Sequence, residues 1–270
     1  MEPAAMKFQR HGKIYLAAVL LVFAALGILR ADLIAGAFNM AAANLRSGGT
    51  TAMKTLAEMA LLGGIAALTL YAVPLYSEPG RDCLIVATAS LYGYLAESWG
   101  VNAGLWSYYT GEKPPLWIIP AWPLGALVID RLSRKATEKN TALPFARQAA
   151  RWLYPAWVIT FYCVFTPFLA LKLGVPASIP PLLLAALVLF PGTDRRQADA
   201  AVLFTGTACV FWADLWGVTN HCWAYYTQAA GAGTAAGIAF GALFDSLVVL
   251  AAIKSAGYLR RPAAGLIKEG

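Results

Sequence analysis

The chain has 270 residues, of which 59% are apolar and only 13% charged. A soluble domain carries roughly a quarter of its residues charged, so lipid is the expected solvent. The net charge of +7 reads as loop lysines and arginines that set membrane topology. No basic run is interleaved with exposed aromatics, so a nucleic-acid partner is excluded.

Eight apolar segments are predicted as helices, at 14–29, 56–76, 83–101, 116–129, 152–171, 179–190, 200–218 and 235–253. Basic residues before the first segment (Lys7, Arg10, Lys13) resemble a secretory leader. Arg30 directly after it, with no clear small-x-small cleavage site, favours a retained first helix. The stretch 30–54 reads as a long connection. The sixth segment is short and contains Pro180-Pro181. It is kept because the second segment, shifted by 117 residues, lands on it. The fourth, shifted likewise, lands on the eighth.

The predicted fold is an all-α polytopic bundle of about eight transmembrane helices, a single integral membrane domain over 1–270. Two parallel four-helix repeats, about 14–131 and 152–254, are related by an axis along the membrane normal. One predicted face collects sixteen of the twenty-one Lys and Arg residues, among them Arg81, the 131–151 loop, Arg195, Arg196 and Lys254. The other keeps Arg30, Arg46, Lys54, Lys113 and Lys172. The positive-inside rule then places both termini in the cytoplasm of a multi-pass inner-membrane protein.

The repeat is sharpest at its polar phrase. Ala96-Glu97-Ser98-Trp99-Gly100-Val101 and onward to Thr110 matches Ala213-Asp214-Leu215-Trp216-Gly217-Val218 and onward to Thr227 at eight of fifteen positions without a gap. Glu97 faces Asp214 as a conservative ninth. Duplicated membrane units often hold a site between the halves. Neither acid has a Lys or Arg at helical spacing. A carboxyl out of water and without a cation tends to keep its proton, and a protonated acid can donate it. Trp99, Trp106, Tyr108 and Tyr109 accompany the first acid; Trp216, Trp223, Tyr225 and Tyr226 accompany the second. Aromatic faces stabilise cations. An acid within an aromatic cage suits protonation of an alkene and shelter of the carbocation until water or another double bond captures it.

Taken singly, the aromatics are equally an interfacial belt, and Gly100 and Gly217 equally a close helix packing. Asp245, inside the eighth segment, is a third acid candidate, since an intramembrane acid is a functional hypothesis by default. Its repeat counterpart is Val128, and the structural alternative is a hydrogen bond to a neighbouring helix. His221, opposite Gly104, is either a proton relay or a surface histidine. Cys83, Cys163, Cys209 and Cys222 have neither metal-ligand nor redox spacing. The first three read as small core residues. No metal site is expected.

The stretch Glu97-x-x-Gly100-Val101-x-x-Gly104-x-x-x-Tyr108-Tyr109-Thr110, followed by Pro114-Pro115, Pro120 and Trp122, resembles the membrane carotenoid-biosynthesis proteins. That group includes the hydratase acting on C50 carotenoid precursors in haloarchaea and its bacterial relatives, and the stretch is also similar to the small membrane lycopene cyclases. The resemblance covers about thirty residues and implies a helical bundle acting on prenyl chain ends without a redox cofactor, with Glu97 as an acid-site residue. Trp106 and the second copy depart from that pattern.

The leading expectation is a cofactor-independent membrane enzyme of isoprenoid or carotenoid metabolism, hydrating or cyclising a prenyl end by acid catalysis. Its partners would be a lipid-soluble isoprenoid substrate and membrane lipids. The alternative is a proton-coupled transporter or lipid-binding protein with a site at the repeat interface. No P-loop, dinucleotide fingerprint or nucleophile elbow supports nucleotide use, redox or acyl transfer. Topology is directly testable: reporter fusions after Lys139 and Thr227 should report opposite sides of the membrane, and the same side for both would refute the eight-span arrangement.

Overall fold

The computed structural model describes residues 10–48, 51–140, 144–190, 196–229, 231 and 233–265. Two compact units divide the chain, Met1–Pro79 and Gly80–Gly270. The first holds α1 (Arg10–Leu29), α2 (Ala31–Arg46) and α3 (Ala52–Ala72). Leu21, Phe23 and Ile28 on α1, and Met53, Leu56 and Met59 on α3, stand exposed. Helices apolar on every side need lipid rather than water around them. Thr51 caps α3, its side-chain oxygen accepting from the Lys54 N–H at 3.2 Å.

Helix α2 corrects the expected connection over 30–54. Asp32, Asn39 and Asn44 interrupt its apolar residues, so no hydropathy run marks it. Six alanines among sixteen residues give it helix propensity instead.

The second unit holds α4 (Pro79–Asn102), β1 (Trp106–Tyr108), α5 (Ala121–Asn140), α6 (Pro144–Leu173), α7 (Val175–Leu189), α8 (Arg196–Thr219), β2 (Trp223–Tyr225), α9 (Tyr226–Ala229) and α10 (Gly233–Gly265). Among the described residues the architecture is therefore helical apart from one two-stranded ribbon. Shifting α4 by 117 residues gives the bounds of α8, and shifting β1 gives those of β2.

Among the described residues, five helices are long and apolar enough to cross a membrane: α1, α3, α6, α8 and α10. Helices α4 and α5 are long but carry Arg81, Asp82 and Glu97, or Asp130, Arg131 and Arg134. Helix α7 is apolar but only 15 residues long. Pro176 sits in its first turn, where the N–H has no intrahelical partner, whereas Pro180 and Pro181 lie inside the helix and each removes a ladder bond.

Helix α8 packs against α5, α6 and α10, and α10 also packs on α6. Between α6 and α10 runs a column of rings. Phe161 stacks on Phe165 (4.6 Å), Phe165 on Phe240 (5.5 Å), and Phe240 on Phe168 (3.7 Å). Helix α4 joins α10 through Tyr92 Oη and Ser255 Oγ at 2.9 Å, and through the Thr88 hydroxyl, 3.0 Å from the Ala252 carbonyl. The cysteines differ from expectation. Cys83 and Cys163 are exposed, while Cys209 and Cys222 are half-buried. The outer wall of a membrane helix is as apolar as its inner one, so an apolar run does not distinguish the two.

A second polar cluster lies at the starting ends of α4 and α8. Arg131 is buried and pairs with both Asp82 (2.7 Å) and Asp130 (2.7 Å), and Arg81 Nη1 donates to Asp130 at 2.7 Å. The counterpart of Asp82 under the repeat is Asp199, which pairs with Lys254 at 2.7 Å. Each acid occupies the first turn of its helix, where a carboxylate meets the positive end of the helix dipole. Lys254 also donates to the Val188 carbonyl at 2.9 Å, tying α7, α8 and α10 together. Arg131→Met should therefore lower stability by about 3–5 kcal/mol, since it takes from buried Asp82 its paired arginine and leaves Asp130 to Arg81. Arg134→Met, at the more exposed edge and 3.7 Å from Asp130, should cost below about 1 kcal/mol. Thermal unfolding in detergent measures both, and equal losses would refute the assignment.

Candidate active site

Helices α4 and α8 end in the same way. Gly104 and His221 take left-handed backbones, with φ of 68° and 57°. The N–H of Leu105 returns to the Gly100 carbonyl (2.9 Å) and that of Cys222 to Gly217 (2.8 Å). Gly104 N–H and His221 N–H reach back to Val101 (3.1 Å) and Val218 (3.2 Å). This is the Schellman arrangement, and it turns each chain sharply into its strand. His221 thus fills the backbone position that glycine fills in the first copy, a conformation histidine tolerates better than most residues. Its side chain is exposed.

The strands then pair with each other, antiparallel, with Trp106 opposite Tyr225, Ser107 opposite Ala224, and Tyr108 opposite Trp223. Ser107 and Ala224 are repeat counterparts, so a local pseudo-twofold axis passes through that pair. The flanking bonds obey it: Tyr109 N–H donates to the Cys222 carbonyl (3.2 Å) and Tyr226 N–H to Leu105 (3.0 Å). Alternation along β1 turns Trp106 and Tyr108 to one buried face.

That face meets Glu97. Trp106 Nε1 donates to Oε2 at 2.9 Å, Tyr108 Oη lies 2.9 Å from Oε1 and 3.0 Å from Oε2, and Trp122 Nε1 donates to Oε1 at 3.2 Å. Asp214 receives Tyr225 Oη at 2.9 Å, and Trp223 is its next polar neighbour. The lesser satisfaction of Asp214 has two causes. Its side chain is one methylene shorter, and the counterpart of Trp122 is Ala239, whose methyl group has no N–H to offer. Both carboxyls are buried, at 4% exposure each.

Gly100 and Gly217 make the arrangement fit. A Cβ on Gly100 would sit 1.8 Å from the Trp106 ring, and one on Gly217 would sit 1.9 Å from Trp223. The indoles therefore lie directly against the helix backbones. Asp245 stands on α10, one turn beyond Gly241 and so on the same helix face. At Gly241 a Cβ would lie 2.1 Å from Asp214 Oδ2 and 2.0 Å from Tyr225 Oη. Asp245 interacts electrostatically with both Asp214 and Glu97. Three carboxyls are thus gathered at one end of the second unit. Among the described residues no lysine or arginine forms an ion pair with any of them, and no group of three His, Cys, Asp or Glu residues could hold a metal ion.

The aromatics divide. Trp106 and Trp122 offer Glu97 their N–H edges rather than their faces. The Trp106 ring packs near Phe244 (6.0 Å) and Phe240 (6.3 Å), and Trp99 lies against Phe244 at 5.7 Å. Tyr109 is 38% exposed, against Trp117. Trp216 is half-buried, and Tyr226 donates to the Phe168 carbonyl at 2.6 Å, with Lys172 above its ring. Residues not singled out from the phrase itself are Trp122, Phe240 and Phe244, with Phe165 and Phe168 behind them. The phenylalanines recur at helical spacing, a pattern that any core helix shows.

Compared with known protein families, curated proteins and solved structures, the chain has no match in any of the three. The fold and the site define a helical membrane protein with a buried carboxyl cluster. Gly100→Ala and Gly217→Ala should each displace an indole from its helix, costing at least about 1–3 kcal/mol of packing and strain. Tryptophan emission should shift to the red and the yield of folded protein should fall. Unchanged emission from both variants would refute the close fit.

Proposed function

We propose that the chain is a membrane-embedded, cofactor-independent enzyme that protonates a prenyl double bond and directs the carbocation to hydration or cyclisation. The observation that carries this reading is the burial of Glu97 and Asp214 in an aromatic interior, with half-buried Asp245 on the neighbouring helix face and no cation partner for any of them among the described residues. A structural ion would normally be paired when buried. A carboxylic acid kept from water is suited to proton donation, and nearby carboxylates offset the developing positive charge. The rings of Trp99, Trp106, Phe240 and Phe244 supply an apolar wall for a hydrocarbon chain. The resemblance of the Glu97 phrase to the carotenoid-biosynthesis proteins points to the same substrate class.

The arrangement that accompanies this reading is eight spans, α1, α3, α4, α5, α6, α7, α8 and α10, in two parallel repeats with both termini on the cytoplasmic side of the inner membrane. Coincidence of the α4 and α8 bounds under the shift, and the local twofold at the strands, support it. One observation favours the transport alternative: a cleft of about 430 Å³ lined by Arg81, Asp130, Arg134, Asp199 and Lys254 lies at the starting ends of α4 and α8. Polar groups at both ends of a bundle suit a proton path.

Lipid extraction and mass spectrometry of a deletion strain test the reading. Enzyme action requires that an unsaturated prenyl lipid accumulate, lighter than the normal product by one water or isomeric with it. Glu97→Gln and Asp214→Asn should each reproduce that profile at normal protein abundance, with turnover lowered ~10²–10⁴-fold. An unaltered lipid profile in the deletion strain would overturn the enzyme and leave the transporter.

A further inference from the structure

The three carboxyls are not equivalent. Glu97 has both oxygens engaged by three donors, two of them indole N–H groups that cannot accept a proton in return. Such a set fixes the carboxyl in one orientation and leaves neither oxygen without a donor. Asp214 has the Tyr225 hydroxyl on Oδ2, with Trp223 as a more distant second donor. Asp245 is on neither strand, lies on α10 beside Phe244, and has no hydrogen-bond donor among the described residues. Its neighbour Ser246 is turned away, donating to Leu243 at 2.8 Å and lying 3.3 Å from Thr207. Of the three carboxyls it is therefore the one that no donor among the described residues holds, and it stands one turn beyond Gly241, where a Cβ would lie 2.1 Å from Asp214 Oδ2.

Resting on the acid-catalysed reading above, we propose that Asp245 is the proton donor of this site, that Glu97 is a positioning residue that holds the aromatic wall in place around the carbocation, and that Asp214 is the base that activates water. The π pair of the alkene forms a C–H bond with the Asp245 proton, and the O–H bond of Asp245 breaks, leaving its carboxylate and a carbocation. For hydration, water adds its oxygen to the cation and gives one proton to Asp214. Transfer of that proton back to Asp245 restores both groups, so alkene and water give alcohol. For cyclisation, a second double bond captures the cation and Asp214 removes a proton from the ring. The division follows from hydrogen bonding: the carboxyl held by three donors is fixed in place, and the one that no donor holds is free to pass its proton.

Complementation of the deletion strain separates this proposal from the reading beneath it. Asp245→Asn should give the deletion profile at normal abundance, with turnover lowered ~10²–10⁴-fold, and Asp245→Glu should restore part of the product. In isolated membranes, added formate at mildly acid pH should recover activity in Asp245→Ala, because a small acid can replace a missing donor. It should not recover activity in Glu97→Ala, where the acceptor that holds Trp106, Tyr108 and Trp122 is missing. Full product from Asp245→Asn, or formate rescue of Glu97→Ala with none for Asp245→Ala, would overturn the assignment and leave the enzyme reading intact. A deletion strain with unaltered lipids would overturn both.

Discussion

A carboxyl buried among apolar helices, with no cation beside it among the described residues, must be satisfied by hydrogen bonds, and Glu97 meets that requirement through three aromatic donors. A hydrogen bond contributes about 0.5–1.5 kcal/mol net, and more is lost if a donor is removed and the buried group is left unsatisfied. The two β1 donors come from a strand only three residues long. That strand is held by its pairing with β2, and the pair is entered through the turns at Gly104 and His221. The glycine one turn before each of those turns admits the indole. The end of the bundle is thus one connected device, in which acid, turn, strand and glycine each presuppose the others.

The duplication is closest where this device is built. The bounds of α4 and α8 correspond, the helix-ending hydrogen bonds correspond, and the strands pair about their own counterparts. Departures from symmetry are equally informative. Glu against Asp, Trp122 against Ala239 and Val128 against Asp245 turn two equivalent places into two chemically different ones. Enzymes that move a proton out and back use groups of unequal proton affinity, which symmetric halves alone would not supply.

Opposite this end, the bundle is closed by ion pairs. Asp82 with Arg131 and Asp199 with Lys254 are the duplicated elements there, each acid within the first turn of its helix. Here every buried carboxylate has a cation, and the geometry is that of a structural lock. Opposite treatment of carboxyls at the two ends of one helix, paired in Asp82 and unpaired in Glu97, is the contrast that separates scaffold from candidate site.

The sequence by itself determined the helical membrane class, the duplicated phrase, and Glu97 and Asp214 as its acids. Those depend on composition, on apolar run length and on identities at a fixed shift, all of which are linear properties. Helix α2 escaped because its apolar residues are interrupted, and the outward placement of Cys83 and Cys163 escaped because lipid and core are alike in polarity. Only the tertiary structure decided that the indoles meet Glu97 by their N–H edges, that Trp122, twenty-five residues further on, completes its shell, and that Asp245 stands on α10 one turn beyond the glycine packed against Asp214. These are relations between elements distant in the chain. They are set by how helices and strands pack, and the order of residues along one element carries no record of which edge of a ring a neighbouring element will present.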